Sequence, residues 1–213
     1  MPGDVQTYPA RLQIDYPEHL DRVTTLLRPI LVIPIVVLFA VLTASGGGRV
    51  VEGGRTIGSS GLGISAGLAM ATALMIVIRQ RYPRWWFDFA RELARLGARI
   101  GAYVTLLTDR YPSTVEEQSV HLELDYPDVP RDLNRWMPLV KWLLAIPHYF
   151  VLLFLYIGAF FAVIAAWFAI LFTGRYPRGI FDFVEGVLRW HNRVLCYAVV
   201  LVTDEYPPFR LRD

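Results

Sequence analysis

Three stretches of the chain, Ile30 to Ala44, Leu62 to Ile78 and Leu143 to Phe172, contain no Asp, Glu, Lys or Arg, and the charged residues are gathered between them. That segregation is what a lipid environment demands. The first two runs, taken as about 26–44 and about 62–78, have the length needed to cross a hydrocarbon core of about 30 Å. The third would be about 45 Å long as one helix, and two readings compete for it. A single tilted span places the arginines that follow it across the membrane from those of the first half. A hairpin over about 139–173, turning near Tyr156-Ile157-Gly158, keeps them on one side. In the hairpin reading nineteen basic residues lie with the termini and only Arg49 and Arg55 lie opposite. This positive-inside asymmetry selects the hairpin and puts both termini in the cytoplasm. It requires Leu139 to Trp142 as an extension, with Lys141 reaching to the interface.

Between the apolar runs the period changes. Phe89, Leu93, Leu96, Ile100, Tyr103 and Leu107 recur at helical spacing while Arg91, Arg95 and Arg99 fall on another face, predicting an amphipathic helix over about 87–108. A second follows over about 181–203, with Glu185, Arg189 and Arg193 as its polar row. Arginine near the bilayer centre costs at least about 2.5 kcal/mol, so both helices belong in the interface. Around Leu12 and Ile14, Val120 to Leu124, and Phe209 to Leu211 the period is two, which predicts three short strands in a small cytoplasmic β element.

The order of motifs repeats. Asp15-Tyr16-Pro17 answers to Asp125-Tyr126-Pro127, Ile33-Pro34 to Ile146-Pro147, and RYPRWWFDF at 81–89 to RYPRGIFDF at 175–183. Arg95, Arg99 and Tyr103 then answer to Arg189, Arg193 and Tyr197, and Thr108-Asp109 to Thr203-Asp204. The chain divides into a first repeat, 1–112, and a second, 113–213. The expected fold is mainly α: a polytopic membrane protein of two repeated transmembrane hairpins, each followed by an interfacial amphipathic helix. In each R-Y-P-R the proline ends the span, and Tyr and Arg suit the headgroup layer. Asp88 and Asp182 are placed to cap the next helix, Asp182 with Glu185 as a capping box.

Composition agrees with the membrane class: 54% of residues are hydrophobic and 19% charged, and the mean hydropathy is +0.39. A net charge of +2 is too small to argue for a nucleic-acid partner, which needs a clustered basic face, and none is expected. Cys196 is the only cysteine, so neither an intrachain disulfide nor a cysteine metal cluster is available. The polar first 28 residues and Pro34 within the following apolar run do not suit a cleavable signal, so the segment is expected to remain as a membrane helix.

The runs LFTGRYPRGIFDF at 171–183, LRWHNRV at 188–194 and LVTDEYPPF at 201–209 resemble the bacterial, often actinobacterial, membrane family catalogued as domain of unknown function 4389. The resemblance extends over nearly the whole chain as two tandem copies, the second half being the closer match. It implies a polytopic protein of the bacterial cytoplasmic (inner) membrane and carries no reaction or catalytic residue with it.

Candidate chemistry is sparse. The glycine-rich segment Ser45 to Gly63 lacks the ending of a phosphate loop and follows no predicted strand, so it is expected to be a flexible non-cytoplasmic loop. Gly63, Gly67 and Ala71, and again Gly158, Ala162 and Ala166, form small-residue stripes that suit either internal helix packing or a homo-oligomer contact. His19, His121, His148 and His191 have no metal-ligand spacing, and no cofactor is expected. His148, inside an apolar run, is the intramembrane polar candidate; the alternative is a neutral histidine bonded to a carbonyl freed by Pro147. The best polar constellation recurs in both halves: Arg81, Arg84, Asp88, Arg95 and Arg99 answer to Arg175, Arg178, Asp182, Arg189 and Arg193. It suits headgroup or partner binding, or a set of structural salt bridges and caps. The expected function is a non-enzymatic accessory or scaffold contacting anionic lipid and a membrane partner. The alternative is a small transporter or lipid-handling protein, which would need a polar cavity between the halves including His148 or the paired aspartates.

Overall fold

The computed structural model describes residues 8–43, 47–52, 55–60, 64–113, 116 and 118–212. In chain order these form β1 (Ala10–Ile14), α1 (Arg22–Thr43), β2 (Gly47–Glu52), β3 (Arg55–Ser60), α2 (Ile64–Arg79) and α3 (Arg84–Val104). There follow β4 (Val120–Leu124), α4 (Val129–Asp132), α5 (Met137–Leu144), α6 (Ile146–Thr173) and α7 (Arg178–Leu195), which runs into a π-helical turn, Cys196–Val200.

The alternation around the D-Y-P motifs does make strands. β1 and β4 pair antiparallel with Leu12 opposite Leu122. Ala10, Leu12, Ile14, Val120, Leu122 and Leu124 are buried, whereas Gln13, His121 and Glu123 face outward. The buried side of this two-stranded sheet rests on α3 and α7. Arg95 Nε on α3 donates to Leu122 O at 2.9 Å, and Arg189 Nε on α7 donates to Leu12 O at 2.9 Å. The opposite sides of α3 and α7 carry the apolar helices. Phe39 and Ile35 of α1 cluster with Leu96 and Ile100 of α3, and Leu152 of α6 clusters with Trp190 and Val194 of α7. The molecule is thus three layers deep: the two-stranded sheet, α3 with α7, and the apolar helices.

Two helices, over Arg22–Val41 and Met137–Thr173, are long and apolar enough to cross a membrane, and Ser65–Arg79 is a shorter apolar one. Their outer faces are exposed, with Phe150 at 64%, Phe161 at 64% and Phe172 at 78%. Exposed apolar surface on this scale is unstable in water and marks contact with lipid or protein.

Four expectations are corrected. α6 passes through Tyr156-Ile157-Gly158 without a turn, so the second half has no hairpin there. A turn in apolar surroundings would strand backbone groups at several kcal/mol each, whereas one helical glycine costs only about 1 kcal/mol. α3 and α7 start at Arg84 and Arg178, directly after the N-cap residues Pro83 and Pro177, whose carbonyls accept the first helical N–H groups, from Phe87 and Phe181, at 3.0 Å. Asp88 and Asp182 therefore lie inside the helices and cap nothing. Residues 201–212 form no strand; Pro207 and Pro208 offer no N–H to a ladder. Residues 47–52 and 55–60, expected as loop, pair as an antiparallel hairpin with Glu52 opposite Arg55. The rest of that loop, with Gly63, lies outside the described residues.

The single long helix α6 ends at Gly174 in the left-handed conformation, φ 72°, and α2 ends the same way at Gln80, φ 48°. Arg22 Nη2 donates to Phe172 O at 3.4 Å and Arg135 Nη2 to Ile78 O at 3.2 Å, so each helix end is closed by an arginine from the other half.

Candidate functional site

The corner motifs meet across the molecule. Tyr16 of the first D-Y-P donates its hydroxyl to Tyr176 O of the second R-Y-P-R, and Tyr126 of the second D-Y-P donates to Tyr82 O of the first. Tyr16 packs edge-on against Phe181 and Tyr126 against Phe87, with centroids 4.9 and 5.1 Å apart. The last arginine of each motif stacks on the same ring: Arg178 lies 3.7 Å from the Tyr16 centroid and Arg84 lies 4.8 Å from that of Tyr126. Tyr82 and Tyr176 point inward, donating to Val200 O at 2.9 Å and to Thr105 O at 3.2 Å. Burial raises both phenol pKa values, which keeps the donated protons in place.

Each corner opens onto a cleft. One of about 390 Å³ is lined by Tyr16, Glu18, His19, Arg175 and Arg178. Another of about 560 Å³ is bordered by Arg81, Tyr126 and Asp128. Arg81 and Arg175 are exposed, and neither guanidinium has a hydrogen-bond or ion-pair partner among the described residues. Asp182 is exposed, and Asp88 pairs with Arg91 at 3.2 Å.

The arginine rows lie elsewhere, between α3 or α7 and the sheet. Besides Leu122 O, Arg95 pairs with Glu92 at 2.8 Å, and Arg99 donates to Ser113 O. Arg189 reaches Leu12 O, Leu211 O at 3.1 Å and the Glu185 carboxylate at 2.7 Å. Glu185 also accepts the Ile14 N–H at 3.1 Å. Arg193 is 1% exposed and donates to Arg210 O at 3.1 Å. The predicted constellation is therefore split: Arg81, Arg84, Arg175 and Arg178 stand at the surface, while Arg95, Arg99, Arg189 and Arg193 fasten the strands, the loop at Ser113 and the C-terminal segment to the helices.

Two buried ion pairs were not anticipated. Arg28 of α1 binds the Asp109 carboxylate and Thr108 O, and its guanidinium sits 4.6 Å from the Tyr103 ring. Lys141 of α5 binds Asp204 at 2.7 Å and Thr203 O at 2.8 Å, with Nζ 5.2 Å from the Tyr197 ring. The signal was present: Arg28 and Lys141 each stand six residues before the I-P proline, and each T-D pair belongs to the repeat.

His148 is fully buried. Its Nδ1 accepts from Trp190 Nε1 at 3.0 Å, so the ring is held by a side chain on α7 and not by a carbonyl freed by Pro147. Phe209 stacks on it at 4.1 Å. Further clefts of about 340, 470 and 710 Å³ lie beside Trp167, His121 and Arg22. None of these five clefts is lined by His148, Asp88 or Asp182. Among the described residues no three His, Cys, Asp or Glu side chains converge as a metal site would require. Cys196 is buried, which pushes its thiol up to about 12.

Residues 135–210 match, in a single copy, the family model described as a domain of unknown function (DUF4389). No curated protein and no solved structure matches the chain.

Proposed function

We propose that this chain is a non-enzymatic protein of a bacterial inner membrane, an accessory or scaffold whose apolar layer meets lipid while its polar sheet faces water. On this reading the two halves are copies of one unit, since the corner tyrosines, the stacked arginines, the buried cations and the helix-end arginines reciprocate pair by pair. The exposed Arg81 and Arg175, held at the edge of the apolar layer beside the stacked Arg84 and Arg178, contact the phosphates of anionic lipid. The observation that carries this is the division of the arginines: half of the repeated set is engaged by strand and loop backbone, and the half left at the surface stands where apolar helices end.

The transporter alternative needed a polar cavity between the halves around His148 or the paired aspartates, and the five clefts described above are lined by other residues. The proposal is tested by the lipid that co-purifies in mild detergent. Arg81→Gln and Arg175→Gln should each lower the ratio of phosphatidylglycerol to phosphatidylethanolamine by about fivefold, the equivalent of about 1 kcal/mol per arginine. Arg95→Gln should leave the ratio unchanged. An unaltered ratio in the double variant Arg81→Gln, Arg175→Gln would remove the lipid role.

A further inference from the structure

The layers fix the orientation of the long apolar helix. β1 runs antiparallel to α7 along its length: Tyr8 Oη donates to Arg193 O at 3.5 Å, Leu12 O accepts from Arg189, Ile14 N–H donates to Glu185, and Tyr16 packs on Phe181. α7 in turn runs antiparallel to α6, with Trp190 bonded to His148 and Phe183 against Gly158, where a Cβ would lie 3.4 Å from the ring. The strand and α6 are therefore nearly parallel, one helix layer apart.

Both ends of α6 return to the same polar layer. At the N-terminal end Tyr206 Oη donates to Leu144 O at 3.2 Å, and Tyr8 donates to the neighbouring Glu205 O at 3.3 Å. At the C-terminal end Leu20 N–H donates to Gly174 O at 3.1 Å, only four residues beyond Tyr16. The helix thus extends from one end of the sheet layer to the other. Its buried residues, His148, Leu152, Ala159, Ala166 and Ile170, form one stripe along its whole length, and the opposite face is exposed from Ile146 to Phe172. A helix crossing a bilayer at right angles would draw the sheet, with outward Arg11, Gln13, His121 and Glu123, into hydrocarbon.

We propose that α6 lies along the membrane plane, embedded in a single leaflet with its exposed face toward the acyl chains. The surface is one helix thick, about 10–12 Å, against a hydrocarbon core of about 30 Å, which is the depth reached by an in-plane helix. Its margins suit that occupant. Trp136 and Trp142 are exposed at the N-terminal end, and Arg175 and Arg178 at the other, as headgroup anchors. The inference rests on the membrane reading above and replaces a crossing with an embedded helix.

Single cysteines at Trp136, Phe160 and Arg175, in a Cys196→Ala background, test it in sealed proteoliposomes. Positions 136 and 175 should react with a membrane-impermeant maleimide from the same face. A fluorophore at position 160 should be quenched at least about twofold more by a spin label near the headgroups than by one at the bilayer centre. Reaction of 136 and 175 from opposite faces would establish a crossing and overturn the proposal. Reaction of position 160 from the face opposite to 136 would establish a hairpin and overturn it equally. A chain that stays in water without detergent and does not enter vesicles would remove the membrane reading itself, along with this inference.

Discussion

Arginine serves two purposes here, and position within the motif decides which. Arg189 is mostly buried and reaches Leu12 O, Leu211 O and the Glu185 carboxylate, so replacing it removes the countercharge from Glu185, which keeps the Ile14 N–H. Breaking such a pair costs about 3–5 kcal/mol. Arg189→Met should lower the midpoint of thermal unfolding in detergent by about 6–20 °C, at about 2–4 °C per kcal/mol. The exposed Arg175→Met should shift it by less than about 2 °C. Lys141 offers a sharper test because its partner is unambiguous. Lys141→Met leaves Asp204 without its countercharge, the Asn134 N–H remaining, and adding Asp204→Asn should restore part of the lost stability, a coupling that a double-mutant cycle reads directly. Cys196 supplies a pH signature. Its thiol pKa rises on folding from 9.0 to about 12, so the folded chain holds the proton more tightly than the unfolded one. The neutral form's contribution is complete below pH 9 and is lost as pH rises toward 12, with a slope of at most about 1.4 kcal/mol per pH unit. Cys196→Ala should lessen the fall of stability with pH over that alkaline window, by up to about 1.4 kcal/mol per pH unit, with the buried tyrosines supplying the remainder.

At the scale of elements, the two halves differ where the chain had to absorb changes in length. α3 closes with Leu106 left-handed and the Leu107 N–H donating to Ala102 O; the second half closes with Leu201 left-handed and the Val202 N–H donating to Cys196 O, one residue wider. From Tyr103 to Thr108 is one residue shorter than from Tyr197 to Thr203, and the π-helical turn at Cys196–Val200 takes up the extra one. The helix ends also make unequal demands. Gln80 occupies the left-handed position that Gly174 fills in the other half. Gln80→Gly should raise stability by about 0.5–1 kcal/mol and Gly174→Ala should lower it by about 1 kcal/mol, both measurable by chemical denaturation. Gly186 has a different reason to be glycine: a Cβ there would stand 2.9 Å from Leu211 Cβ and 3.0 Å from its carbonyl oxygen. Gly186→Ala should displace residues 208–212 from α7, seen as faster tryptic cleavage at Arg210.

For the whole molecule, reciprocity means that no half can complete its own corners. The Tyr16 contact needs the second R-Y-P-R and the Tyr126 contact needs the first. Tyr16→Phe and Tyr126→Phe should therefore cost similar amounts, about 1 kcal/mol each, and their effects should add because the corners share no partner. A chain cut between residues 112 and 113 should regain its fold only when both pieces are present, which gel filtration of co-expressed halves would detect.

The order of motifs, the apolar runs, the two-residue alternation of β1 and β4 and the helical periodicity of α3 and α7 were all legible in the sequence, because each depends on neighbours within a turn or two. Which side of those helices faced what was not. Arg95 and Arg189 read as a solvated or lipid-facing row, yet strand carbonyls more than twenty residues away claim them, and carbonyls leave no mark in a side-chain pattern. The uninterrupted course of α6 followed the same logic: its composition allowed either a turn or a helix, and backbone hydrogen bonding in apolar surroundings favours the helix. Whether an apolar run crosses a bilayer or lies along it depends on what is packed behind it. Hydrophobicity is a property of residues one at a time, whereas orientation belongs to the contacts at both ends of the helix, and only the tertiary structure brings those ends to the same polar layer.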